Sequence, residues 1–210
     1  MKKLNRFSST LNKNKKKANN HPAAEKAKAQ IRQNVLDVIG ADDASVFDAF
    51  AGEGVMHTAV WHAAKSYIGC DLVWYRDTRT AFVCDNTRVL RAVDLQQFNI
   101  FDFDAYGSPW EQAFILASRR EVKPGERIGL ILTEGSGLNL KLGGLPIALR
   151  KLAGVRKTFA GGNRHHDDLI DMALAGVCRR MNVKIVKRWR AVRKGGAAMR
   201  YIGVVLEGIS

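Results

Sequence analysis

The chain has 210 residues, 46% of them hydrophobic, and a formal net charge of +14. That length suits one sizeable domain, no apolar run nears the ~20 residues of a membrane-spanning helix, and no secretory signal pattern opens the chain. The charge does not assist folding; it points to a polyanionic partner, nucleic acid ahead of an anionic membrane surface. Cys70, Cys84 and Cys178 are odd in number, widely spaced and set in apolar surroundings. They read as free thiols of a reducing, cytoplasmic compartment, and no metal site is expected because zinc sites want closer pairs.

Residues 1–22 open with Lys2, Lys3, Arg6, Lys13, Lys15, Lys16 and Lys17 and show no apolar period. This stretch reads as a disordered basic arm that orders on a phosphate backbone. It favours lysine over arginine and lacks an amphipathic face, which argues against a mitochondrial transit peptide; a solubilising tail is the plainer alternative. Residues 23–210 read as a single domain. A helix is expected from about Ala23 to Ile39, with Ile31, Val35, Leu36, Val38 and Ile39 on its apolar face and Gly40 at its end.

A strand then climbs through Val46 and Phe47 to Asp48 and Ala49, breaks at Phe50-Ala51-Gly52-Glu53-Gly54, and passes into a helix expected through about Lys65. Glycines at 52 and 54 let the backbone turn sharply and let a ligand lie against bare peptide. The free N–H groups of the helix would point at that ligand. The third glycine of the dinucleotide fingerprint is absent, since Met56-His57 stand there.

The second strand, Ser66 to Asp71, ends in an acid. In doubly wound α/β folds an acid about 20 residues beyond the glycine turn binds ribose hydroxyls, and a carboxylate accepts both hydrogen bonds of a vicinal diol. Leu72 to about Thr80 reads as a short helix carrying Arg76 and Arg79; Ala81 to Cys84 is a third strand with Asp85-Asn86 at its end; a helix from about Thr87 to Gln97 follows. The fourth strand begins at Ile100 and ends in Asp104-Ala105-Tyr106-Gly107-Ser108-Pro109, before a helix from about Trp110 to Arg120 and a fifth strand from Arg127 to Thr133. The glycine turn, Asp71, Asp85 and Asp104 therefore fall on one edge, outside the carboxyl ends of the strands, where open α/β sheets bind ligands.

Residues 134–164 are Gly-rich and basic and read as an insertion over that edge, with Leu145 to Leu152 helical. In His165-His166-Asp167-Asp168 adjacent side chains point apart on a helix, so joint chelation is not expected. The acids suit a helix start running to about Met181, and the histidines are candidates for a phosphate or substrate contact. Lys184 to Val192 and Met199 to Leu206 alternate about a Lys194-Gly195-Gly196 turn and form a hairpin. Its Lys184, Lys187, Arg188, Arg190, Arg193, Lys194 and Arg200, with Trp189, could track a phosphate backbone; a solvated edge that blocks aggregation is the alternative.

Asp48-Ala49-Phe50-Ala51-Gly52-Glu53-Gly54, Ile68-Gly69-Cys70-Asp71, Asp85-Asn86 and Asp104–Pro109 together resemble class I S-adenosylmethionine (SAM)-dependent methyltransferases. The resemblance implies an α/β Rossmann-like fold, a seven-stranded, mostly parallel sheet with a C-terminal antiparallel hairpin, and SAM as cofactor. It implies cofactor contacts at Asp48, Ala49, Phe50, Gly52, Gly54, Asp71, Leu72 and Asp104, with Asp85 or Asn86 receiving the adenine amino group. The fourth motif looks most like the Asp-Pro-Phe/Tyr-Gly-Ser-Pro of the tRNA guanine-N2 dimethyltransferases, and less closely like the motif of other amino-methylating nucleic-acid enzymes. Ala105 stands where that family has proline, and the family's extra C-terminal domain is lacking. The likeness makes Asp104 and Tyr106 catalytic candidates. Tyr106, Ser108 and Pro109 become substrate contacts, joined by Lys187, Arg188, Trp189 and Arg190. The expected function is methyl transfer to an exocyclic amine of a nucleic-acid base, RNA ahead of DNA. The alternatives are a catalytically impaired nucleic-acid-binding protein on the same scaffold, and a methyltransferase for protein or a small molecule.

Overall fold

The computed structural model describes residues 22–156, 161–192 and 199–210; the basic arm up to residue 21 and the 194–196 turn lie outside them. Five strands run parallel: β1 (Ser45–Asp48), β2 (Ser66–Asp71), β3 (Ala81–Val83), β4 (Ile100–Phe103) and β5 (Arg127–Glu134). β6 (Val183–Val192) and β7 (Arg200–Gly208) pair antiparallel, and β7 lies antiparallel against β5. The seven-stranded order is β3-β2-β1-β4-β5-β7-β6. The expected mostly parallel sheet with a terminal antiparallel hairpin is therefore present.

Alternate residues of the central strands feed two apolar layers. Phe47, Phe101, Phe103, Leu130 and Leu132 join Trp110, Leu116, Leu149, Ile170 and Leu174 on one side. Those last five come from α4 (Trp110–Arg119), α6 (Ile147–Ala153) and α7 (His166–Met181). Val46, Ile100, Ile131 and Val205 join Ile31, Val35 and Leu36 of α1 (Pro22–Ile39), with Met56 and Trp61, on the other. Burial on both faces is why these strands read as near-continuous apolar runs in the sequence. α1 sits close because β5 and β7 offer it bare backbone. A Cβ at Gly129 would lie 2.4 Å from Val35 Cγ1, and one at Gly203 would lie 2.6 Å from Ile31 Cγ2.

Three helices differ from expectation. α2 spans only Val55–Ala59 and breaks at Val60 (φ −140°, ψ −55°). The break carries Trp61 into the interior, where its indole N–H donates to Asp102 at 2.8 Å. No helix forms over residues 72–80. Asp71 accepts from Val73 N and Asp77 from Arg79 N, each two residues on, and such local side-chain bonds compete with helix formation. α3 (Asn86–Ala92) stops short of the expected end: Val93 turns extended, and Asp94 caps a separate 3-10 turn at Leu95–Gln97. The 134–164 insertion contributes α5 (Gly137–Lys141) and α6.

Candidate active site

β2, β1 and β4 are neighbours, so their carboxyl ends bring Asp71, the glycine turn and Asp104 together. Asp48 ends β1 fully buried; it accepts from Phe50 N at 3.1 Å and from the Tyr67 hydroxyl at 2.9 Å. Burial, reinforced by the facing Asp102, pushes its pKa up to about 7 despite Arg32. In the turn that follows, Gly54 adopts φ +83°, and a Cβ there would lie 2.8 Å from Arg79 Cζ. That guanidinium donates to Ala51 O at 2.9 Å and Gly52 O at 2.7 Å. Glycine at 54 thus meets two demands, a left-handed backbone and room for Arg79. Asp71 closes the turn from the other side, accepting from Gly52 N at 3.0 Å and Val73 N at 2.9 Å. Because α2 has five residues, its N-terminus brings only a short dipole to the turn.

Asp85 and Asn86 are engaged by the scaffold. Asp85 caps α3, accepting from Thr87 N and Arg88 N. Asn86 donates to Ala49 O at 2.9 Å and accepts from Gln112 at 2.9 Å. Leu72 lies exposed beside them.

The end of β4 is wired to α1. Arg32, 1% exposed, binds Asp102 through two N–H groups at 2.6 and 2.7 Å, and Trp61 adds a third bond to the same carboxylate. Burial raises the Asp102 pKa while Arg32 opposes the rise. Lys28, one turn earlier on α1, lies 2.8 Å from both oxygens of Asp104, and Arg32 Nη2 is 3.3 Å from one of them. Burial would raise the Asp104 pKa, but Arg32 and then Lys28 outweigh it and hold it below the usual value, so the carboxylate is ionised. Beyond it Ala105 is buried, whereas Tyr106 is 89% exposed on the open edge. Gly107, at φ +117°, accepts from Gly135 N, which ties this turn to the start of the insertion. Pro109 is buried at the head of α4, and the buried Ser108 hydroxyl has no hydrogen-bond partner among the described residues.

The hairpin is more self-contained than its composition implies. Arg188 pairs with Asp171, Arg190 and Arg200 pair with Asp167, and Lys184 pairs with Glu207 at 2.9 Å. Trp189 packs half-buried against the α1 layer, while Lys187 is exposed with no ion pair among the described residues. His166 is buried with Nε2 3.2 Å from Glu134, which removes it from the surface; His165 is exposed beside Asp168. Asp167 and Asp168 do stand in the first turn of α7. Among the described residues no group of three or more His, Cys, Asp or Glu is gathered for a metal, and the three cysteines are free thiols.

Lys28, Arg32, Trp61, Tyr67 and Arg79 join the site without having been singled out in the sequence. Only Arg32 carried a local signal: it is a charged residue on the apolar stripe of Ala24, Ile31, Val35 and Leu36.

Among solved structures, the chain is similar to Trm1 from Pyrococcus horikoshii in complex with SAM, with a TM-score of 0.55 and 14% identity over 89% of this chain. The chain spans 56% of that protein's length. It is also similar to the N-methyltransferase NodS from Bradyrhizobium japonicum WM9 with S-adenosylhomocysteine, at TM-score 0.54 and 10% identity, covering 91% of this chain and 90% of that one. A third is the 1,6-didemethyltoxoflavin-N1-methyltransferase of Burkholderia thailandensis, bound to 1,6-didemethyltoxoflavin and S-adenosylhomocysteine, at TM-score 0.52 and 14% identity over 90% and 80%. No protein-family model matches the chain, and no curated protein matches it significantly. At these identities the likeness is one of fold: the chain has the seven-stranded Rossmann-like fold of class I methyltransferases.

Proposed function

We propose that the chain is a SAM-dependent methyltransferase acting on an exocyclic amine of a nucleic-acid base, RNA ahead of DNA. The observation that carries this is the meeting of the glycine turn, Asp71 and the Asp104–Pro109 turn on three adjacent strand ends. Asp104–Pro109 makes the N2 amine of guanine in tRNA the first acceptor to test. The residues suit the cofactor at two ends. Each Asp71 oxygen accepts one backbone N–H and keeps capacity for a ribose hydroxyl. Asp104 offers a fixed anion. Asp48, Ala49, Phe50, Gly52 and Gly54 form the cradle between them, and Leu72 offers an apolar wall to the adenine. Asp85 and Asn86 serve that end by shaping it, since their side chains are engaged elsewhere.

SAM supplies a methyl group already activated on a sulfonium. The protein's part is then placement and charge stabilisation. Tyr106, exposed beside Asp104, stacks on the base, a contact worth roughly 1–3 kcal/mol. Ser108 and Pro109 fix its approach, and a base from a duplex is unstacked to reach it. Asp104 accepts an N–H of the amine and draws its lone pair out of the ring. Because Arg32 and Lys28 hold it ionised, it acts as an acceptor, and the proton leaves to water at the open edge. Residues 134–164 cover the substrate side. The charge of +14 supports a nucleic-acid acceptor.

Labelled-methyl transfer from SAM to bulk tRNA, rRNA and DNA tests this. RNA is expected to take the label, and Asp104→Ala to abolish transfer while RNA binding persists. Transfer confined to protein or small molecules would contradict the acceptor assignment.

A further inference from the structure

α1 runs against the strands: its last residue, Ile39, leads through Gly40 to the start of β1, while Lys28 reaches the far end of β4. Lys28 and Arg32, four residues apart on one helix face, both deliver cations to this edge. They are held differently. Arg32 is buried and fixed by a two-pronged bond to Asp102. The Lys28 side chain is 21% exposed; its ion pair is with Asp104, itself 16% exposed, and it lies 5.7 Å from the Tyr201 ring. The Lys28–Asp104 pair is therefore the solvent-reaching member of a four-charge cluster that sums to zero.

We propose that Lys28 and Asp104 form a site for a zwitterionic α-amino-acid group, with Lys28 binding its carboxylate and Asp104 its ammonium. A ligand carrying both charges can exchange partners with this pair and leave no charge unpaired. A lone ammonium would strand Lys28, and a lone carboxylate would draw Lys28 from Asp104; a stranded, partly desolvated charge is costly. The resting pair is thus a complement to a zwitterion and discriminates against either half. A carboxylate has about four acceptor positions, so the ammonium does not displace the acceptor amine from Asp104. The assignment rests on the cofactor reading above, under which the zwitterion is the methionine end of SAM. It adds Lys28 as the residue that distinguishes a nucleoside carrying an amino acid from one without.

The test compares S-adenosylhomocysteine with 5′-methylthioadenosine, which keeps the nucleoside and sulfur but lacks the amino-acid group. Both are titrated calorimetrically into the full chain, into Lys28→Met, which keeps the aliphatic stem, and into Lys28→Arg. Charge-assisted hydrogen bonds of this kind predict a loss of about 10- to 100-fold in S-adenosylhomocysteine affinity for Lys28→Met. Methylthioadenosine affinity is expected to stay unchanged, and Lys28→Arg to recover most of the loss. Equal losses for both ligands, or none for either, would overturn the assignment while leaving the cofactor reading intact. A wild-type chain that binds neither ligand would overturn both.

Discussion

Asp48 and Asp102 face each other on β1 and β4, both buried, and Arg32 grips only Asp102. Asp48 is left with Tyr67 and a backbone amide, and its pKa rises from 3.8 to about 7. Between those values the unfolded chain has released the proton that the folded chain keeps. Asp48 therefore lowers stability as pH rises through that window, and the loss levels off above about 7. Asp48→Asn removes the charge, so the mutant-minus-wild-type difference in melting temperature is expected to grow from pH 5 to pH 8. Each kcal/mol is worth about 2–4 °C in a chain of this size; a difference that shrinks would contradict the account. Arg32→Met strands the Asp102 charge and is expected to cost about 3–5 kcal/mol in urea unfolding, with Asp102→Leu added to it recovering much of the loss. Asp71 and Asp104 were legible as strand-end acids, and Asp102 as the acid that takes an arginine. Lys28, Trp61 and Arg79 were not, because each acts across a separation of 76, 41 or 28 residues. Local pattern carries no information about such partners.

The strands were legible as elements because burial on both faces leaves each as an apolar run ending in an acid or a turn. β2 was expected over its observed span, and β4 begins where its pattern does. The segments after β1 and β2 were misread. There, side chains called to distant partners, Trp61 to Asp102 and Arg79 to the glycine turn, override local helix preference. The seat of α1 was equally hidden, since Gly129 and Gly203 look like weak points within strands until the helix above them is known. Gly203→Val should push α1 off the sheet, costing about 1–3 kcal/mol as overpacking does. It should also weaken ligand binding through Lys28. Denaturant titration beside ligand titration checks both, and unchanged stability would show that α1 does not need the bare backbone. Gly54→Ala, at φ +83° and against Arg79, is expected to impair ligand binding.

Over the whole molecule the charge is unevenly held. Residues 1–21 contain seven Lys and Arg and no Asp or Glu, half of the net +14. The hairpin, by contrast, pairs Lys184, Arg188, Arg190 and Arg200 internally. RNA affinity is expected to fall steeply with salt. Lys187→Gln should reduce the salt slope by about one, and Arg190→Gln should leave it unchanged while lowering stability. Equal slope changes for the two would return the hairpin's ion pairs to the binding surface. The most direct test is calorimetric titration of SAM into the wild-type chain and into Asp71→Ala. Binding by wild type, abolished by the substitution, is the expected result and fixes the ligand on the edge where Asp71 closes the glycine turn. A wild-type chain that takes up no SAM would contradict the methyltransferase account.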